Sequence, residues 1–313
     1  MNAPGILIGW PNRPTAMAQL EETYRCWHLY KADDKEAMIA EAAPHVRGVV
    51  TSGESGVSAA MMDRLPNLEV IACFGVGVDG IDLEAARARG VVVSNTPGVL
   101  SEDVADMGIL LMLAVMRRLL EADAYARSGA WRSGGPFELG RSPRGKTMGI
   151  LGMGRIGQAL ARRAEVLGMS VVYHNRNRAD VPYDYAATPV DLARRADVLV
   201  VCCPGGAATR NLVDAAVLEA LGPEGWLINI ARGSVVDEPA LVRALTEKKI
   251  AGAGLDVFAD EPNVPDALAA MKNVVVQSHQ ASATVETRDA MAQLVVDNLA
   301  AHFAGTPLLT RIA

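Results

Sequence analysis

The run Met148-Gly149-Ile150-Leu151 leads straight into Gly152-Met153-Gly154-Arg155-Ile156-Gly157, and this junction constrains the fold more than any other stretch. An apolar strand followed by G-x-G-x-x-G and a helical pattern is a strand–turn–helix corner. The first glycine permits a tight turn and the second lets the backbone approach a pyrophosphate. The third lets helix and strand pack closely. The helix N-terminus adds amides and partial positive charge toward phosphates. A second strand, Ser170-Val171-Val172-Tyr173, follows at the spacing of about 20 residues expected of such a unit. An NAD site would carry an acid just beyond it for the ribose 2′-hydroxyl. Here the chain reads His174-Asn175-Arg176-Asn177-Arg178, with no acid and two guanidinium groups. That favours a 2′-phosphate, hence NADP(H), with Asn175, Arg176, Asn177 and Arg178 at its site. A ligand-free corner and a solvated turn are the plainer readings. Neither explains a strand before the glycines, a strand after them and the missing acid together.

Strand-like and helix-like patterns alternate along all 313 residues, which predicts an α/β protein with parallel sheets. Half the residues are hydrophobic but only 4% aromatic, so the cores are expected to be built from Ala, Val, Leu, Ile and Met. A net charge of -6 argues against nucleic acid or an anionic membrane as a partner. Cys26, Cys73, Cys202 and Cys203 show no C-x-x-C spacing, and none is expected to ligate a metal. This pattern and the lack of a signal-like N-terminus predict a soluble, cytoplasmic protein. The longest apolar stretch, Met107 to Met116, is about half a membrane span.

Two doubly wound parallel-sheet domains are expected, a Rossmann-type cofactor domain and a flavodoxin-like substrate domain. The first third reads as strands at Gly5–Gly9, near Leu29, Gly48–Thr51, Leu68–Cys73 and Val91–Ser94, with helices at Met17–Tyr24, Lys35–Ala42, Ser58–Leu65 and Asp82–Arg89. Thr96-Pro97-Gly98 then breaks the pattern. The expected division is residues 1–98 with 286–313 for the substrate domain, and 99–285 for the dinucleotide domain. Strands of the latter fall at Met148–Leu151, Val171–Tyr173, Val198–Cys202, Trp226–Ile230, Gly252–Asp256 and Val274–Gln277, and Val285–Phe303 reads as one long helix returning to the first domain. A helix starting at Ser101 is apolar on every face from Met107 to Met116. Such a helix must be buried all round, either at the centre of one chain or, as expected here, also against the second subunit of a homodimer.

Three polar residues stand at predicted carboxyl ends of parallel strands, where open α/β sheets bind ligands. They are Arg232, Glu261 and His279. The guanidinium can hold the carboxylate of a 2-oxo acid and polarise its ketone. The imidazolium can protonate the developing alkoxide as hydride arrives. The carboxylate can orient the histidine and raise its pKa. Taken one at a time, each also reads as a surface residue or a turn.

Nearly the whole chain resembles the D-2-hydroxyacid dehydrogenase family. The resemblance rests on Asn229-Ile230-Ala231-Arg232-Gly233 through Val236-Asp237 and Ala240-Leu241, on Gly254-Leu255-Asp256-Val257-Phe258 to Glu261-Pro262, and on His279-Gln280-Ala281-Ser282. It implies the roles above for Arg232, Glu261 and His279. It also implies that the Val76 and Gly77 amides, in Phe74-Gly75-Val76-Gly77-Val78-Asp79, hold the substrate carboxylate. Cofactor contacts are expected from the glycine loop and from Val104, Cys203, Pro204, Thr209, Ile230, Ala231, Arg232, Asp256, His279 and Ala281. Ser52, Gly53 and Trp131 are expected beside the substrate, and no metal is. Ser278 departs from the proline that many members carry before the histidine, which puts the rigidity of that loop in doubt. Asp103-Val104-Ala105-Asp106, Gly129-Ala130-Trp131 and the run Ala301 to Leu309 are most similar to NADPH-dependent glyoxylate/hydroxypyruvate reductases and their hydroxyphenylpyruvate-reducing relatives. A tryptophan like Trp131 can reach the partner subunit's active site in such reductases. Dinucleotide-sensing co-regulators, phosphoglycerate dehydrogenases, and formate and phosphonate-type dehydrogenases share the fold and are the rival readings.

Overall fold

The computed structural model describes residues 3–313; the first two residues of the expected substrate domain lie outside the described residues. The chain forms two compact units, one of residues up to Leu100 together with Ser282–Ala313, the other Ser101–Ala281. The breaks thus fall at 100/101 and 281/282, against the expected 98/99 and 285/286.

The first unit holds β1 (Gly5–Ile8), β2 (Arg25–His28), β3 (Val46–Ser52), β4 (Val70–Phe74) and β5 (Val92–Ser94) in the order β2-β1-β3-β4-β5, all parallel. This is the flavodoxin-like order. The central strands are buried on both faces, as the uninterrupted run Gly5-Ile6-Leu7-Ile8 implies. The strand expected near Leu29 lies earlier, because Arg25–His28 pairs in register with Gly5–Ile8, and Leu29–Lys31 forms a short 3-10 turn. The 19-residue helix Val285–Phe303 belongs to this unit and packs against β4. Thr284 caps it, its hydroxyl accepting from the Thr287 amide.

The second unit holds β6 (Thr147–Leu151), β7 (Ser170–His174), β8 (Asp184–Tyr185), β9 (Val198–Val201), β10 (Trp226–Asn229), β11 (Gly252–Leu255) and β12 (Val274–Val276). Their order is β12-β11-β10-β9-β6-β7-β8, again parallel, with the Rossmann reversal between β6 and β9. The two-residue, polar β8 leaves no hydrophobic pattern to read. Gly254 in β11 admits the helix Ser101–Met116 at close range, since a Cβ there would lie 2.9 Å from Leu111 Cβ.

On that helix Val104, Gly108, Leu111, Met112 and Val115 face inward, whereas Leu110 is 50% exposed. It ends at Met116, and Arg118 adopts φ 54°, so Leu119–Arg127 starts a new helix carrying exposed Leu119 and Leu120. Among the described residues no helix is long and apolar enough to cross a membrane.

Candidate active site

Three neighbouring strands, β10, β11 and β12, deliver Arg232, Glu261 and His279 at their carboxyl ends. The Glu261 carboxylate is held twice. Its Oε1 accepts from the Phe258 amide at 2.9 Å, and its Oε2 lies 2.7 Å from His279 Nδ1. Both side chains are only a quarter to a third exposed, at 25% and 31%, so this contact is poorly screened. With Nδ1 committed to the carboxylate, proton transfer by this ring would run through Nε2.

The backbone at His279 has φ 56°, a left-handed conformation unusual for a non-glycine residue. Asp256, 1% exposed at the end of β11, holds that turn. Its carboxylate accepts from the Gln280 amide at 2.7 Å and the Ala281 amide at 3.0 Å, and its carbonyl accepts from the His279 amide. Burial pushes the Asp256 carboxyl above its ordinary range, opposed by those two amides and the nearby histidine. Asp256 and the Ala281 amide, both expected beside the cofactor, thus spend their polar atoms on the histidine turn.

Arg232 is shaped by the first residue of its own motif, to which the sequence assigns no role. Asn229, buried in the last position of β10, donates from Nδ2 to the Arg232 carbonyl at 3.1 Å and accepts the Ala231 amide at 3.0 Å. Its signal was a lone amide closing an apolar strand. Gly233 follows because no side chain fits: a Cβ there would sit 1.9 Å from the Phe258 carbonyl. The arginine turn is thereby packed directly on the backbone that leads to Glu261.

The glycine loop after β6 meets the requirements of a dinucleotide. A Cβ on Gly152 (φ 111°) would lie 2.6 Å from the Cys203 amide nitrogen, and one on Gly157 would lie 2.2 Å from the Gly152 carbonyl oxygen. A Cβ on Gly154 would meet nothing within 4 Å. The first and third glycines are therefore forced by packing, and the second leaves an open approach to the backbone. No side chain caps the 12-residue helix Arg155–Val166 at Gly154, so its first amides face that opening. Asn175 braces the loop, its Oδ1 accepting from the Met153 amide at 2.6 Å. Arg176, Asn177 and Arg178 are exposed just beyond β7, and among the described residues neither arginine pairs with a carboxylate. Arg178 lies over the Tyr185 ring. At the end of β9, Cys202 Sγ donates to the Gly152 carbonyl. Burial pushes the neighbouring Cys203 thiol up to about 11, which marks it as an inert wall residue. Thr209 is turned inward on its own loop, its hydroxyl donating to the Pro204 carbonyl at 2.7 Å. Ile230, Ala231 and Val104 are buried apolar positions, and Trp131 is 67% exposed on the short helix Ala130–Gly134.

In the first unit, the loop after β4 carries Val76 and Gly77. The Gly75 carbonyl accepts from the Thr96 amide at 2.9 Å, and the Val76 carbonyl accepts from Asn95 Nδ2 at 2.9 Å. Among the described residues neither the Val76 nor the Gly77 amide donates a hydrogen bond, leaving two adjacent donors for an anion. Gly53 abuts this loop, since a Cβ there would lie 2.2 Å from the Gly77 carbonyl oxygen, and the Ser52 hydroxyl accepts from the Ser55 amide.

Residues 109–281 match the family model described as D-isomer specific 2-hydroxyacid dehydrogenase, NAD binding domain. The chain is 46% identical, over the full length of both chains, to glyoxylate/hydroxypyruvate reductase A of Arabidopsis thaliana. It is 44% identical, again over both full lengths, to hydroxyphenylpyruvate reductase of Plectranthus scutellarioides. Among solved structures, an NADPH-dependent glyoxylate/hydroxypyruvate reductase of Sinorhizobium meliloti in complex with NADP and malonate superimposes with a TM-score of 0.91 at 45% identity, covering 100% of this chain and 97% of that one.

Proposed function

The chain belongs to the D-isomer specific 2-hydroxyacid dehydrogenase family, and from that premise we infer that it reduces small 2-oxo acids, glyoxylate and hydroxypyruvate foremost, to the 2-hydroxy acid with NADPH, giving the D form where the new carbinol carbon is a stereocentre. The observation that carries this reading is the 2.7 Å contact between Glu261 and His279 Nδ1 beside the Arg232 turn. NADPH, when bound, supplies the hydride, and the open backbone at Gly154 with Arg176 and Arg178 would hold its pyrophosphate and 2′-phosphate.

The rest is the work of this chain's own side chains. Arg232 binds the substrate carboxylate and draws electron density from the ketone oxygen. The Val76 and Gly77 amides are the first unit's own donors for a carboxylate. Imidazolium at His279 Nε2 then gives its proton to the oxygen as charge develops there. Glu261 fixes the ring and stabilises its protonated form before transfer. Asp256 and Asn229 act at one remove, holding the turns that carry His279 and Arg232.

The hydroxyphenylpyruvate reductase relative supports arylpyruvate reduction as the second reading. The exposed apolar side chains of Leu110, Leu119, Leu120 and Trp131 support a homodimer, with Trp131 directed to the partner. The free cysteines fit a cytoplasmic location. A steady-state panel of glyoxylate, hydroxypyruvate and hydroxyphenylpyruvate with NADPH and NADH tests the reading. It predicts the highest kcat/KM for a two- or three-carbon 2-oxo acid with NADPH. Absence of turnover with every acid would leave a dinucleotide-sensing binding protein instead.

A further inference from the structure

We propose that Thr310 is a positioning residue for the substrate-carboxylate loop and acts on it through Asn95. This rests on the reading that the Val76 and Gly77 amides hold the carboxylate. In a planar trans peptide the C=O and N–H point in opposite directions. Whatever grips the Gly75 carbonyl therefore aims the Val76 amide, and whatever grips the Val76 carbonyl aims the Gly77 amide. Those grips are the Thr96 amide and Asn95 Nδ2. Two successive residues just past β5 thus set the direction of both anion donors.

Residues Asn95 and Thr96 leave an edge strand of three residues, and Asn95 is supported by the segment around Thr310. The Thr310 hydroxyl donates to the Asn95 carbonyl at 2.6 Å, and the Asn95 amide donates to the Thr310 carbonyl. Thr310 is held in turn by Asn298, on the inner face of the long helix Val285–Phe303. Asn298 Nδ2 donates to the Thr310 hydroxyl at 2.9 Å and to the Leu294 carbonyl at 2.7 Å. Its Oδ1 accepts from the Thr310 amide at 3.1 Å. Asn298 is 0% exposed, and a buried amide is tolerated only when such bonds satisfy it. Two of the three go to Thr310.

Asn95 needs this clamp. Its Oδ1 is buried with no hydrogen-bond partner among the described residues, so Nδ2 and the backbone alone fix the side chain. The sequence Asn298, Thr310, Asn95, Val76 carbonyl is a strut from a rigid helix to the loop, contained within one unit.

The test is Thr310→Val, which keeps the shape and removes the hydroxyl. Misaimed amides weaken ground state and transition state alike, so KM for glyoxylate rises roughly three- to tenfold, the range of one neutral hydrogen bond, while kcat and KM for NADPH stay within about twofold. Thr310→Ser restores the hydroxyl and returns KM toward the wild-type value. Gly53→Ala serves as a direct perturbation of the loop through the Gly77 carbonyl and raises the same KM. If Gly53→Ala raises it and Thr310→Val does not, the strut is wrong and the loop reading stands. If neither raises it, the loop does not hold the carboxylate and the proposal falls with that reading. A Thr310→Val enzyme that loses kcat, NADPH affinity and melting temperature together, with no rescue by serine, also overturns it, because the role is then structural only. Should Thr310→Val be insoluble, Asn95→Ala is read for the same KM-only signature, and an unchanged KM there refutes the strut.

Discussion

Replacing Glu261 by glutamine alters one atom of a group that makes two contacts. A glutamine carbonyl in the place of Oε1 still accepts the Phe258 amide, now 2.9 Å away. Its NH2 then takes the place of Oε2, 2.7 Å from His279 Nδ1. An NH2 group can only donate, so it opposes a protonated Nδ1 and favours the neutral ring with its proton on Nε2. A charge-assisted hydrogen bond is worth about 1.5–3 kcal/mol, a neutral one about 1 kcal/mol. Losing the first, with the imidazolium left unsupported, predicts a fall in reductive kcat of roughly 10- to 100-fold near neutral pH. The loss is not uniform. Reduction requires the protonated ring, so the variant's activity falls off at lower pH than the wild type's and the gap widens as pH rises. The assay is kcat for glyoxylate-dependent NADPH oxidation between about pH 5 and pH 9, with Glu261→Asp as a variant that keeps the charge. A Glu261→Gln profile parallel to wild type, reduced by the same factor at every pH, would refute the proton-holding role and leave Glu261 as packing alone.

Arg176→Ala raises KM for NADPH about tenfold or more and barely alters KM for NADH, because the lost contact is to the 2′-phosphate; equal effects on both cofactors contradict it. Leu110→Glu places a charge on a half-exposed apolar position and yields monomers or aggregate, whereas a single-chain mass for the wild type by light scattering refutes the dimer. Asp256 gives a pH signature of stability. Its carboxyl is raised above its ordinary value of 3.8 by burial. A raised folded-state pKa means stability present below that ordinary value and lost as pH rises through the folded one. Relative to Asp256→Asn, wild-type stability in urea titrations therefore declines as pH rises from about 4, and a difference constant with pH would contradict the assignment.

Much of this was legible in the residues, for identifiable reasons. The long helix Val285–Phe303 and the helix Lys35–Ala42 match their sequence patterns end to end, the first because Thr284 caps it and the second because Asp34 does. Strand ends drifted by a residue or two, since register with a neighbour, as at Arg25–His28, decides them and leaves no local signal. Arg232, Glu261 and His279 stood out as charges closing apolar runs. What sequence could not show was the support beneath them. Asn229, the carboxylate of Asp256 and the strut through Asn298 work by contacts to backbone atoms that spacing does not specify. The composition of the Ser101–Met116 helix says that every face avoids water without saying what covers each one.

The central claim is that His279 delivers the proton in reduction of a 2-oxo acid by NADPH. Its most direct test is turnover of purified His279→Ala with saturating NADPH and glyoxylate, followed by loss of NADPH absorbance beside the wild type. Loss of about 10²–10⁴-fold, with NADPH still bound at near wild-type affinity, is the predicted result. Near-normal turnover with an unchanged pH profile would show that the proton comes from another group.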